Sequence, residues 1–389
     1  MDTNIDEIDT DMDFIQPDSA WGMQENLTRL FVASKKDLAK NCFVGPCGSM
    51  SYRKFDTEVR RVASAISGMG ISPGQRVAVS LDDSPDLATI FFGSMAMGAV
   101  PLVINPNLDS DTLAYILQDC DARIIFVKIE NSETIQRATK MFDRKPNIIF
   151  VGADTLESRQ GWIPASADSM WNSFRVQNVN ELAFIQYTSG TTGKPKGVMH
   201  SALSVLSSCA YFAKAQLGLT GDDTLYSVPK IFFGYGMGNS LFFPLYLGAT
   251  SLLDPRWPTV ATVVENLKKF LPNVVFAVPT LYRMLLEEKK WPQEHIVRLL
   301  FSAGAPLSEE IRNAWRASFG FEIYEGIGTT ELCHVYATSY PDAVWPGSVG
   351  RMVPLQTARN IVTTETMIMF RAYSRHDMEG IFSIGLDHP

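Results

Sequence analysis

The chain is short of cysteine, histidine and basic charge. Its five cysteines (Cys42, Cys47, Cys120, Cys209 and Cys333) are scattered through 389 residues. Disulfide frameworks belong to short secreted chains, so these read as reduced thiols of a cytoplasmic protein. Cys42 and Cys47 look like half of a metal pair, but no second pair or histidine cluster accompanies them, and cysteine-bound metal is not expected. Lys and Arg number 34 against 42 Asp and Glu, a net charge of -8. That balance argues against a nucleic-acid surface, because phosphate backbones recruit basic stripes. The first 13 residues hold six acidic side chains and no basic one. Residues 1–18 therefore read as a solvated acidic leader without the positive n-region and apolar core of a secretory signal.

Charge is missing altogether from Ile231 to Leu253. A bilayer span needs about 20 apolar residues, yet Gly234, Gly236, Gly238, Asn239, Pro244 and Gly248 interrupt this stretch. It reads as a core segment, and no membrane partner is expected. Repeats of fixed period and low-complexity tracts are absent as well.

What is present is alternation. Apolar residues make up 46% and charged residues 20%, enough for large cores, and the length suits two or three domains. Strands are predicted at Arg76–Leu81, Val100–Ile104, Arg123–Val127 and Asn147–Val151, with helices at Asp86–Met97, Asp111–Gln118 and Ser132–Phe142. After a polar connector, Gly152–Asn180, strands follow at Leu182–Tyr187, Leu225–Val228, Thr250–Leu253, Asn273–Val278, Arg298–Ser302 and Phe321–Tyr324. Strands separated by helices imply an α/β fold of parallel-rich sheets covered on both faces, with ligands at the carboxyl ends of strands. The expected division is a first α/β subdomain at 19–180 and a second at 181–355.

Tyr187-Thr-Ser-Gly-Thr-Thr-Gly-Lys-Pro-Lys-Gly-Val-Met-His200 begins at the end of a predicted strand. Gly190, Gly193 and Gly197 let the backbone turn its N–H groups toward an anion. Thr188, Ser189, Thr191 and Thr192 add hydroxyls, while Lys194 and Lys196 add positive charge. Together they form a phosphate cradle. The ordinary P-loop is excluded: two residues, not four, separate Gly190 from Gly193, and Pro195 stands where a hydroxyl residue is required.

This stretch resembles the signature of the adenylate-forming superfamily of acyl-CoA synthetases, luciferases and peptide-synthetase adenylation domains. The resemblance implies ATP, Mg²⁺ and CoA as cofactors and co-substrates. It also implies that the loop from Thr188 through Gly193 grips the ATP phosphates, with Lys196 in contact with them. Ser302-Ala-Gly-Ala-Pro-Leu307 resembles the adenine-binding turn, through Gly304, Ala305 and Pro306. Glu325-Gly-Ile-Gly-Thr-Thr-Glu331 resembles the third motif, which implies ATP contacts from Glu325, Gly326 and Thr330. There Thr330 meets the α-phosphate and Glu331 is the Mg²⁺ ligand. Lys196, Thr330 and Glu331 are thus the implied catalytic residues.

Lys230-Ile-Phe-Phe-Gly-Tyr-Gly-Met-Gly-Asn-Ser-Leu-Phe-Phe-Pro244 resembles the acyl-pocket segment of benzoate-type CoA ligases, and its wording that of anthranilate–CoA ligases. Leu81-Asp-Asp-Ser-Pro85 and Val103-Ile-Asn-Pro106 resemble the same branch. The implied aryl pocket is built by Phe233, Gly234, Tyr235, Gly304, Gly328 and His334, with Tyr235 as a flat wall and Gly234 making room for an ortho substituent. Glu325 departs from the aspartate usual in the branch, and its extra methylene is expected to push the carboxylate about 1.5 Å into the site, a bond-length estimate. His200 is expected to start a helix.

The expected activity is ATP-dependent conversion of an aromatic carboxylate to aryl-AMP and then aryl-CoA. Two alternatives are an aryl-acid adenylating enzyme that loads a carrier protein, and an inactive fragment that binds aryl acid and ATP. A homodimer is the alternative to a monomer. The resemblance fades after Gly347-Ser-Val-Gly-Arg-Met-Val-Pro354. Residues 356–389 contain no Thr-Gly-Asp and no lysine, unlike the family's continuation, so weak binding and poor turnover are expected.

Overall fold

Alternate residues of the central strands face opposite ways, and both sets are apolar, which places each sheet between two layers. In the computed structural model the described residues are 24–33, 35–152, 171–188, 194–342 and 348–353. A six-stranded sheet runs in the order Lys196–Ser201, Leu182–Thr188, Val100–Val103, Arg76–Ser80, Ala122–Lys128 and Asn147–Val151. It is parallel except for its first pair. Within it Val77, Val79, Ile124 and Phe126 face one core, while Ala78, Ile125 and Val127 face another. Near-continuous apolar runs are what a sheet buried on both faces requires.

The nine-stranded sheet has parallel strands Ile323–Gly328, Leu299–Ser302, Val274–Ala277, Thr224–Ser227, Thr250–Leu252 and Asn41–Gly45 at its centre. Val274, Phe276, Leu299 and Phe301 turn toward the core that also receives Val77 and Phe126, so one apolar core lies between the two sheets. The helix Pro85–Ala96 fills part of that space. It is capped by Ser84, starts on Pro85, and buries every residue from Leu87 to Ala96, as a helix apolar all round must. Its neighbour Tyr52–Gly68 comes so close that a Cβ on Gly93 would lie 2.7 Å from Val62 Cγ1.

Several expectations need correction. The sheets do not divide at residue 180: Asn41–Gly45 and Gly48–Ser51 join the nine-stranded sheet, while Leu182–Thr188 and Lys196–Ser201 join the six-stranded one. The helix from Ser132 ends at Ala138, where Thr139 turns its hydroxyl back to the Ile135 carbonyl. The strand expected to end at Tyr324 spans Ile323–Gly328. His200 lies in the strand Lys196–Ser201, stacked on Phe184 with ring centroids 4.7 Å apart, and Ser201 rather than His200 caps the following helix. The uncharged stretch forms helical turns from Gly234 to Leu247, a left-handed turn at Gly248 and the strand Thr250–Leu252. Among the described residues no helix is long and apolar enough to cross a membrane. The acidic leader and residues 356–389 lie outside the described residues.

Candidate active site

The strands on either side of the phosphate signature form an antiparallel pair at the edge of the six-stranded sheet, with Lys196 directly across from Thr188. Ser189, Gly190, Thr191, Thr192 and Gly193 lie outside the described residues. Lys196 is exposed at the start of its strand, and Lys194 places its ammonium 5.3 Å over the Tyr115 ring.

The turn after Leu299–Ser302 presents Gly304, Ala305 and Pro306 to solvent. Gly304 has φ +87°, a left-handed conformation that glycine adopts without strain. The Leu307 amide donates to Glu325 Oε1 at 2.7 Å, and Arg312 Nη2 donates to Glu325 Oε2 at 2.9 Å. Contrary to the expectation, the Glu325 carboxylate does not project freely: the Leu307 amide and the buried Arg312 guanidinium hold it. Burial raises its carboxyl above the usual glutamate range, held back by the Leu307 amide and Arg312.

Beyond Gly328 the third motif turns sharply. Thr329 caps the short helical turn Thr330–Leu332, with Glu331 exposed. Cys333 follows with φ +70°, a strained conformation for a residue with a Cβ, costing of order 1–3 kcal/mol. That twist carries the chain from exposed Glu331 to buried His334 within three residues. Gly326 and Gly328 serve packing: a Cβ on Gly326 would meet Phe301 at 2.7 Å, and one on Gly328 the His334 carbonyl oxygen at 2.7 Å.

His334 sits in an aromatic cage of Phe212, Tyr235 and Phe243, with ring centroids at 5.3, 5.5 and 4.6 Å. Its Nε2 lies 3.3 Å from the Tyr235 carbonyl oxygen. Burial pulls the imidazole down to about 3, only partly opposed by that bond, and His200 down to about 4. Both rings are neutral at pH 7, whereas the unfolded chain protonates them near 6.5. The unfolded state then binds more protons below that value, so stability falls as pH drops from 6.5 toward 4 by about 1.4 kcal/mol per pH unit per histidine. Urea unfolding at pH 7 and pH 5 should show this slope, and His334→Gln should remove its share. An unchanged slope would contradict the buried neutral ring.

Tyr235 donates its hydroxyl to the Phe301 carbonyl at 3.3 Å and meets Phe276 edge-on, which joins the aryl segment to the strand before the adenine-type turn. Phe233 is exposed, its ring against Phe232. A Cβ on Gly234 would stand 4.0 Å from both Thr330 Oγ1 and the Cys333 carbonyl oxygen. The aryl segment thus abuts the phosphate-type threonine. Residues that the sequence reading missed include Arg312, which fixes Glu325, and Gln186, Asp83 and Lys230, which hold the turn before Gly234. The signal for Lys230 was its place as the last charge before an uncharged run.

The strand pair that carries the phosphate-type signature, the exposed small-residue turn and the aromatic cluster around His334 are all built on the two sheets of an α/β fold. The chain belongs to the AMP-binding enzyme family, whose profile matches residues 31–371. It is 41% identical over 288 residues to an anthranilate–CoA ligase of Pseudomonas aeruginosa, covering 73% of this chain and 54% of the relative. It is 35% identical over 326 residues to a 4-hydroxybenzoate–CoA/benzoate–CoA ligase of Rhodopseudomonas palustris, covering 80% and 58%. The chain therefore spans less than two thirds of the length of these relatives. Among solved structures, a benzoate–CoA ligase of Burkholderia xenovorans superposes with TM-score 0.76 at 29% identity, covering 85% of this chain and 66% of that one. The anthranilate–CoA ligase AuaEII, solved with anthranoyl-AMP, superposes with TM-score 0.77 at 28% identity, covering 85% and 65%.

Proposed function

We propose that the protein activates an aromatic carboxylate of the anthranilate or benzoate type with ATP and passes the acyl group to CoA. The observation that carries this reading is the 4.0 Å approach between the open side of Gly234 and Thr330 Oγ1. It supports a reading in which an acid held against Tyr235 and His334 lies next to Thr330, the residue expected at the α-phosphate. The carboxylate oxygen attacks the α-phosphorus and pyrophosphate leaves; the CoA thiolate then attacks the acyl carbon and AMP leaves. Confining both reactants in one pocket removes much of the entropic barrier.

Glu331 is the residue that would hold Mg²⁺, a hard cation bound by one or two carboxylates together with substrate phosphates. Its carboxylate suits that donor set, since it stands exposed beside Thr330. When bound, the ion supplies neutralisation of phosphate charge. Lys196, Thr188 and Thr330 orient the phosphates, and the exposed turn Gly304–Pro306 receives the base.

The test is ligand preference. Gly234 has room for a methyl group, since its nearest neighbours would stand at ordinary contact distance. Gly234→Ala should fold normally but crowd an ortho amino group, shifting the anthranilate-to-benzoate Kd ratio toward benzoate by about tenfold, or ~1.4 kcal/mol. Isothermal calorimetry with each acid measures the ratio. Equal effects on both acids would sink the placement of the ring at Gly234.

A further inference from the structure

The turn Pro229–Phe233 is gripped from three directions before the chain enters the aryl segment. From the six-stranded sheet, Gln186 Nε2 donates to the Phe232 carbonyl at 2.6 Å. Gln186 is buried and lies two residues before Thr188 of the phosphate signature. From the loop after Arg76–Ser80, Asp83 Oδ1 accepts the Ile231 amide at 3.1 Å. From the loop after the strand Thr250–Leu252, the Asp254 and Arg256 carbonyls both accept from Lys230 Nζ at 2.6 Å. The ammonium also lies 4.0 Å from Asp83 Oδ2, with both side chains at most 8% exposed.

The turn transmits its position rigidly. A Cβ on Gly236 would fall 2.0 Å from the Lys230 carbonyl oxygen and 2.5 Å from that of Pro229. The helical turn Gly234–Met237 thus lies backbone-on-backbone against the stapled turn, and the Phe233 carbonyl accepts the Met237 amide at 2.8 Å. With no side chain between them to absorb a shift, displacement of Ile231 or Phe232 moves Gly234 and Tyr235.

We propose that Asp83 and Gln186 are positioning residues for the aromatic acid, acting through the Lys230–Phe232 turn to hold the aryl segment in register with the phosphate signature. Neither is expected to touch the acid. A burial role alone would make each a generic stabiliser. The convergence of two groups, one from the strand Leu182–Thr188 and one from the loop after Arg76–Ser80, on consecutive residues, Ile231 and Phe232, of a turn that leads into the aryl segment argues for register instead. The proposal rests on the reading of Gly234 and Tyr235 as pocket residues and deepens it.

The test has a ligand-free arm and a ligand arm, both on the full chain. Asp83→Asn keeps an acceptor for Ile231 but removes the charge facing Lys230. Gln186→Leu removes the bond to Phe232 at similar volume and provides a second variant should Asp83→Asn fold poorly. Hydrogen exchange followed by mass spectrometry should show amides of 231–237 exchanging at least tenfold faster in Gln186→Leu, with those of 299–302 and 323–328 unchanged. Calorimetry should show anthranilate Kd raised about tenfold in Gln186→Leu and about threefold in Asp83→Asn, with ATP Kd within twofold of wild type. Uniformly faster exchange, unchanged exchange at 231–237, or parallel loss of acid and ATP binding would each overturn the proposal. If the wild type binds neither anthranilate nor benzoate, the functional reading fails, and the exchange arm alone decides the staple.

Discussion

Glu325→Ala should lower the unfolding free energy by about 3–5 kcal/mol, because it strands a buried guanidinium. Arg312 and Glu325 are 6% and 7% exposed at their side chains, and the pair is closed at 2.9 Å. Removing the carboxylate leaves Arg312, among the described residues, with Glu322 at 3.6 Å, and also orphans the Leu307 amide. The remaining glutamate places the loss toward the lower end of that range. Glu325→Asp should lose less, about 1–2 kcal/mol, since its shorter side chain cannot reach both partners; an orphaned buried donor alone costs about that much. Replacing both partners, Glu325→Leu with Arg312→Met, should recover about 2 kcal/mol relative to Glu325→Ala, since an apolar pair leaves no buried charge. Urea denaturation of the three variants checks the order. A double variant less stable than the single would contradict the assignment of the loss to an uncompensated Arg312.

Lys196→Met should weaken ATP binding about 10- to 150-fold, while the melting temperature stays close to that of wild type. The magnitude follows from one charge-assisted hydrogen bond to phosphate, about 1.5–3 kcal/mol. Stability should hardly change because Lys196 is exposed at the first position of its strand, and methionine keeps most of the aliphatic stem. Calorimetric titration with ATP and Mg²⁺ gives the ratio. An unchanged Kd in a folded variant would remove Lys196 from the phosphate site.

Much of this architecture was legible because its strands are buried on both faces. Runs such as Val77-Ala-Val79 and Ile124-Ile-Phe-Val127 are apolar at every position, which marks them without any partner in view. The family signature was legible for a different reason, since its glycines, hydroxyls and lysines are contiguous. Lys196–Ser201 escaped because an edge strand of intermediate burial, reading Lys-Gly-Val-Met-His-Ser, has neither a clean alternation nor an apolar run. The role of Glu325 could not be read because its partners lie 18 and 13 residues away in sequence. In line with the rest of the chain, a lone glutamate in a motif looks like a ligand until the guanidinium behind it is seen. The staple spans 148 residues between Asp83 and Ile231, and only folding joins them. The division at residue 180 misled for a similar reason: strand order in a sheet is not chain order.

The most direct measurement incubates the purified chain with anthranilate, ATP and Mg²⁺ and follows equilibrium binding of the acid by calorimetry, with mass spectrometry of the mixture for anthranoyl-AMP. The account predicts saturable one-to-one binding of anthranilate that is lost in Tyr235→Ala, with bound ATP and anthranilate, or their adenylate, on the same molecule. A folded wild-type chain that binds ATP but takes up neither anthranilate nor benzoate at millimolar concentration would contradict it.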